Sequence, residues 1–279
     1  MKKLGIPISH GHFTSLVLKT GLNWAKCLGM SEYIFHVLNA DASLEISDTL
    51  NHEWKMKMEE IRDLYTKKAL EKTYHAIEQA GGKRSLVKNS SIVYGKVIDS
   101  VLKEIKNQDL SFLILGPKTH NEWGELFLGS TTERVIKLAK IPILVAKNEG
   151  VIQPKNVFWA ADLSKTTHET LQWIVKLREV FSIKLTICHV EKNDKYQEKL
   201  DEVETALKKI SCPFETKVIN GGHGNTGELI IEEVQKGDYD LVVFGAKRKH
   251  NILDLFLGSV EEYLIHNIEK SFLIINVSE

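Results

Sequence analysis

Near the end of each half of this 279-residue chain stands the same pentapeptide, Leu126-Phe127-Leu128-Gly129-Ser130 and Leu255-Phe256-Leu257-Gly258-Ser259. Each copy follows an apolar run that ends in glycine, in the contexts FLILG-PKTHNEWGE-LFLGS and LVVFG-AKRKHNILD-LFLGS. Gly116 therefore matches Gly245, and Gly129 matches Gly258, at a constant separation of 129 residues. An apolar run, a loop and a helix start copied at fixed spacing indicate a duplicated domain. The length agrees, at roughly 100–200 residues per domain. The polar turn KNEGVIQPKN places the boundary, with one domain over residues 1–149 and a second over 150–279.

Within each half, short apolar β-prone runs alternate with segments of helical periodicity. The first half reads LGIPIS, a helix through Phe13, Leu16, Val17, Trp24 and Leu28, then YIFHVLN. A long amphipathic stretch follows through Ile46, Leu50, Trp54, Ile61 and Leu64, ending near Gly81-Gly82. Next come a strand from about Leu86 to Tyr94, a helix from Val97 to Ile105, SFLILG, a helix from Ser130, and IPILVAK. The second half repeats this order from NVFWAAD to SFLIINV. The pairs His36-Val37 and His189-Val190 are 153 residues apart, so the first half is longer by 24 residues, mostly in the helical region after its second strand. Strands separated by helices run parallel and are buried on both faces. The pattern thus predicts two doubly wound, Rossmann-like α/β sheets of five parallel strands each.

Charge limits what such a fold can bind. With 37 basic and 37 acidic residues, the chain has no global field for holding nucleic acid or an anionic membrane, so any anion site must be local. The scattered Cys27, Cys188 and Cys212, the absence of a run of about twenty apolar residues, and the absence of a basic-then-apolar leader point to reduced thiols and a cytoplasmic protein.

In a doubly wound sheet, ligands bind outside the carboxyl ends of the strands, and both glycine loops leave a strand at that edge. Gly116 and Gly245 keep a side chain away from a ligand approaching the backbone. At Gly129-Ser130 and Gly258-Ser259 a helix begins, so free N–H groups, the positive end of the helix dipole and a hydroxyl suit phosphate. A plainer reading also fits, in which Ser130 and Ser259 are N-caps and the glycines form turns. The segment GGHGNTGE, Gly221 to Glu228, has P-loop glycine spacing but places Glu228 where a lysine is needed; it reads as a flexible turn, with the alternative that Gly221, Gly222 and His223 flank a ligand at the same sheet edge. His36 and His189 read as structural strand-end residues, and no zinc spacing or catalytic triad is evident.

These loops resemble those of the universal stress protein family, in a tandem two-domain form. The family signature is a glycine, two residues, a second glycine, nine residues, then glycine with serine or threonine. Gly116, Gly129 and Ser130 match it, as do Gly245, Gly258 and Ser259; Thr119 and Arg248 replace the middle glycine. The resemblance implies a pocket for ATP or another adenine nucleotide. It also implies an intramolecular pseudo-dimer in which Ile143 to Ala146 and Phe272 to Ile275 face each other. The family's nucleoside-contacting aspartate corresponds to Asp162, whereas the first half has Ser9. The second pocket is therefore better equipped for the nucleoside, with Asp162, Val190, Gly245, Lys247, Gly258, Ser259 and Val260 as its expected contacts. Gly116, Gly129, Ser130 and Thr131 form a weaker first site that offers more hydroxyls to phosphate. In the second half Glu261-Glu262 brings carboxylates near the expected phosphate, while Lys118, Lys247 and Arg248 could supply positive charge. Mg2+ is expected only with a bound triphosphate.

The resulting expectation is a stress-response regulator that binds an adenine nucleotide, with no catalytic residue assigned. One rival is a protein-interaction module with vestigial pockets, an unknown protein partner and scope for a further homodimer. Another is a nucleotidyltransferase-like enzyme. Ser9-His10-Gly11-His12 and Gly129-Ser130-Thr131-Thr132-Glu133-Arg134 resemble that class's two motifs, with His12 and Arg134 stabilising the transferring phosphates.

Overall fold

The computed structural model describes residues 2–39, 52–83, 85–86, 90–119, 126–163, 167–191, 196–222, 225–247 and 257–277. The first half runs β1 (Lys3–Ile8), α1 (Thr14–Leu28), β2 (Ser31–Leu38), α2 (His52–Gln79), β3 (Ser90–Tyr94), α3 (Val97–Asn107) and β4 (Leu110–Leu115). A small antiparallel pair, β5 (Lys118–Thr119) and β6 (Leu126–Phe127), lies in the glycine loop, followed by α4 (Ser130–Leu138) and β7 (Ile143–Val145). A 3-10 turn, Glu149–Ile152, leads to β8 (Asn156–Ala160), α5 (Thr167–Phe181), β9 (Lys184–Glu191), α6 (Gln197–Lys209) and β10 (Phe214–Asn220). The chain closes with α7 (Thr226–Lys236), β11 (Leu241–Lys247), α8 (Ser259–Asn267) and β12 (Ser271–Val277).

Each half is a parallel five-stranded sheet, in the orders β3-β2-β1-β4-β7 and β10-β9-β8-β11-β12. The two closing strands pair antiparallel, Phe272 with Val145, Leu273 with Leu144 and Ile274 with Ile143, so the sheets merge edge to edge into one of ten strands. This is the facing of closing strands that the resemblance implied. Apolar edge strands need cover, and here each covers the other.

Two buried layers lie on the two faces of this sheet, and both cross the seam. One contains Leu18 and Trp24 of α1, Ile77 of α2, Ile174 of α5 and Leu207 of α6. The other contains Val101 of α3, Val135 of α4, Ile231 of α7 and Leu264 of α8. On the first face, Phe112 of β4 packs with Trp24 at 5.7 Å and with Trp173 of α5 at 5.0 Å, while Trp24 lies 5.1 Å from Phe181. The connecting turn is held on α1, where Trp24 Nε1 donates to the Val151 carbonyl at 2.8 Å and Asn23 Nδ2 to that of Ile152 at 2.7 Å.

The duplication also shapes the seam. Asn276 Nδ2 donates to the Ala139 carbonyl at 3.0 Å, and Lys147 Nζ donates to the Ile268 carbonyl. Both pairs are related by the 129-residue repeat, and Ala139 and Ile268 are the C-caps of α4 and α8. Asn276 in β12 and Lys147 just after β7 thus each supply a donor to a helix end of the other half, where carbonyls lack intrahelical partners. Above it, Lys137 Nζ bridges Glu133 at 2.8 Å and Glu262 at 2.6 Å, and His266 Nε2 lies 3.6 Å from Glu133.

The long region of the first half differs from expectation. Ile46 and Leu50 lie outside the described residues, and Ile61 and Leu64 are 41% and 52% exposed on α2. Its buried face is instead formed by Ala69, Thr73 and Ile77. At 28 residues α2 is about 42 Å long, whereas the eight-residue β2 spans about 27 Å, so among the described residues the helix outruns the strand before it. Leu86, where the third strand was expected to begin, has 3-10 geometry, and the strand is described over Ser90–Tyr94.

Candidate functional site

Each half opens a cavity at the carboxyl edge of its strands. The first, of about 410 Å³, has apolar walls from Pro7, Ile8, Val17, Val37, Val97, Val101, Leu115 and Val135. Ser9, Thr14, His36, Ser130, Thr131 and Thr132 supply its polar groups, and Gly116 and Gly129 complete it. All four residues expected for the first site therefore line one cavity.

The glycines act in ways the sequence did not specify. Gly129 and Gly258 are the N-caps of α4 and α8, with extended backbone and no side-chain cap. Ser130 and Ser259 are thus the first helical residues, which corrects the N-cap reading. A Cβ on Gly116 would lie 2.9 Å from Val17 Cγ2 and 3.3 Å from Phe13 Cβ, so this glycine lets α1 close on the strand end. Thr132 Oγ1 donates to the Gly116 carbonyl at 3.2 Å, tying the start of α4 to the end of β4.

The second cavity, of about 240 Å³, is lined by Ala160, Ala161, Asp162, His189, Val190, Thr226, Ile230, Phe244, Gly245, Val260, Glu261 and Leu264. Four expected residues, Asp162, Val190, Gly245 and Val260, come together there. Gly258 and Ser259 begin α8 beside Glu261 but do not line the cavity. The side chains of Lys118 and Lys247, and all of Arg248, lie outside the described residues. Asp162 is exposed, and its Oδ1 accepts from Thr167 Oγ1 at 3.4 Å.

The halves share a backbone device at these mouths. His10 and Leu163, 153 residues apart, both have left-handed φ, 54° and 49°, immediately after Ser9 and Asp162. Non-glycine residues adopt this conformation at a cost, here imposed where the chain turns off the strand over the cavity. His36 and His189 also form an equivalent pair, with Nδ1 2.7 Å from the Ile8 carbonyl and 2.9 Å from that of Ala161. Both contacts require the proton on Nδ1 when the ring is neutral. Burial lowers the His36 pKa and, with nearby positive charge, holds His10 down at about 4. These histidines join strand ends, as the structural reading held, and they also line the cavities. The His-Val repeat at 153 residues was the signal for that second role.

Among the lining residues the first cavity has no acidic side chain, whereas the second has two, Asp162 and Glu261. His12 opens instead on a separate cavity of about 380 Å³ with His10, Lys72 and His75, and Arg134 is exposed on α4. The two transferase-like motifs do not place these residues in one cavity. In the GGHGNTGE segment, a Cβ on Gly221 would lie 2.6 Å from the Glu191 carbonyl oxygen, and the Asn225 side chain accepts from Gly227 N at 3.0 Å to cap α7. The described residues of that segment form a turn and a cap; His223 and Gly224 lie outside them.

Known proteins share both sequence and fold with this chain. The universal stress protein family profile matches residues 1–147 and 191–276. Universal stress protein Sll1388 from Synechocystis is 35% identical over 66 residues, spanning 24% of this chain and 40% of that relative. A universal stress protein from Archaeoglobus fulgidus covers 98% of both chains at 18% identity with a TM-score of 0.72. A protein of unknown function from Pseudomonas aeruginosa matches 99% of this chain and 92% of its own at 12% identity, with a TM-score of 0.63. At these identities the two structures share the fold alone. With the family profile matched in two segments over most of its length, the chain belongs to the universal stress protein family, in a tandem form.

Proposed function

We propose that the chain is a stress-response regulator that binds an adenine nucleotide, with its two halves holding different parts of the ligand chemistry. The observation that carries this reading is the first cavity, where apolar walls suited to a base end at the free N-terminus of α4 with the Ser130 and Thr131 hydroxyls beside it. Gly116, Gly129, Ser130 and Thr131 hold the phosphates there. Asp162 and Val190 hold a nucleoside in the second half, with Gly245 and Val260 in the same cavity, Gly258 and Ser259 at the start of α8 beyond its lining, and Lys247 at the end of β11. Mg2+ enters only with a triphosphate, bridging its oxygens.

Calorimetry with ATP, with and without Mg2+, on nucleotide-free protein tests this. Saturable binding that Gly129→Val abolishes without unfolding the chain is expected. No binding at millimolar ATP would sink the reading.

One observation favours protein docking as a second reading. Met56, Ile61, Leu64 and Tyr65 on α2 are 41–54% exposed, on the element that lengthens the first half. Large exposed apolar groups clustered on one element are typical of interaction surfaces. A partner whose capture from stressed cells survives Ile61→Glu with Leu64→Glu would argue against this surface.

A further inference from the structure

The helices that begin at the two cavities differ within their first turn, where Thr131 and Thr132 of α4 are replaced by Val260 and Glu261 in α8. Both start from a glycine N-cap, Gly129 with φ −67° and ψ 146°, and Gly258 with φ −60° and ψ 158°. The third helical residue is Thr132 in α4 and Glu261 in α8, related by the 129-residue repeat. Thr132 donates its hydroxyl to the Gly116 carbonyl at 3.2 Å. Glu261 folds back onto its own helix start. A Cβ built on Gly258 would lie 2.1 Å from Glu261 Oε2 and 3.0 Å from its Cδ, so the carboxylate rests against the N-cap glycine.

A glutamate at this position reaching back to the N-cap is stabilised by the same free N–H groups and helix dipole that would attract phosphate. The place an anion would take is therefore already held by one. Asp162 adds a second carboxylate, and among the described residues lining the cavity there is no Lys or Arg. Thr226 Oγ1, which lines the same cavity, is buried without a hydrogen-bond partner among the described residues and suits a ligand hydroxyl or amine.

We propose that Glu261 is a built-in anion that closes the phosphate end of the second pocket, so that this pocket takes an uncharged nucleoside and rejects its phosphorylated forms. The proposal rests on the adenine-ligand reading above and makes Glu261 the residue that sets the difference between the halves.

The test is calorimetry with ATP and with adenosine on the intact nucleotide-free wild type, Glu261→Thr and Glu261→Gln, each checked for native circular dichroism. Both variants are expected to gain an ATP site roughly tenfold or more tighter than any second ATP site of the wild type, about 1.4 kcal/mol. The wild type is expected to bind adenosine at a site lost in Asp162→Ala. ATP stoichiometry and affinity that are unchanged in Glu261→Gln overturn the proposal, whatever their value. A gain confined to Glu261→Thr also overturns it, because bulk rather than charge would then be responsible. Absence of an Asp162-dependent adenosine site overturns the nucleoside assignment. A wild type that binds no ATP counts against the first-half reading, while the comparison of variants with wild type still decides the role of Glu261.

Discussion

Lys147 shows how one buried side chain can tie the two halves together at a cost. Its ammonium reaches the Ile268 carbonyl and lies 5.4 Å from the Phe272 ring centroid, and burial pushes its pKa down to about 8 from 10.5. Between those values the unfolded chain holds the proton that the folded chain releases. Stability attributable to this residue therefore rises with pH across that window and is flat below it. Relative to Lys147→Gln, the wild type should gain roughly 2 kcal/mol between about pH 8 and about pH 10.5 in chemical denaturation. A difference that stays constant with pH would show that the amine is not buried in solution. His10 has the same sign in the acid range, since its pKa falls from 6.5 to about 4. Its neutral form favours the fold, and that advantage is lost as pH falls through 6.5 toward about 4. Replacing it with Asn, which tolerates left-handed backbone, should flatten the acid limb of the stability profile.

A charge cluster links α4 of the first half to α8 of the second. Lys137 is the cation between Glu133 and Glu262, and both carboxylates raise its pKa. Lys137→Met leaves the two carboxylates facing each other and should cost about 1 kcal/mol in low salt, less in high salt. Glu262→Gln in the same background should recover part of that loss. Equal stabilities of wild type and Lys137→Met at low salt would mean that the cluster contributes nothing. The exposed turns of α2 behave differently because, among the described residues, their apolar side chains are open to solvent. Ile61→Glu should change stability by no more than about 0.5 kcal/mol, and a loss of several kcal/mol would show that a second copy or another segment covers them.

Across the seam, β7 and β12 join two sheets into one and both buried layers continue from half to half. The halves should therefore unfold together. Scanning calorimetry is expected to show a single transition, and two well-separated transitions would contradict a shared core. Deleting β12, residues 271–279, should remove the edge partner of β7 and the Asn276 contacts to Ala139 and Ile141 as well as β11's neighbour. Loss of ordered structure in both halves is expected, read by proteolysis of the first half. A protease-resistant first half would instead mean that it folds alone.

Much of this architecture follows from order along the chain. The 129-residue repeat, the alternation of apolar runs with helical periodicity, and the strand-glycine-loop-helix order specify two parallel sheets and place the loops at their carboxyl edges. The lining of the first cavity was legible for the same reason, because Gly116, Gly129, Ser130 and Thr131 follow one strand end and begin the next helix. Side-chain direction is not encoded that way. The sequence placed Glu261 near an expected phosphate, but only packing shows its carboxylate folded onto Gly258, and only packing shows Thr132 turned toward Gly116. The exposed face of α2 escaped periodicity because spacing reports an apolar stripe and not whether the fold covers it. Local sequence determined the elements and their order, since these depend on neighbours a few residues away. Which cavity is open to an anion was decided by tertiary structure, since it depends on where residues brought together by the fold leave their charges.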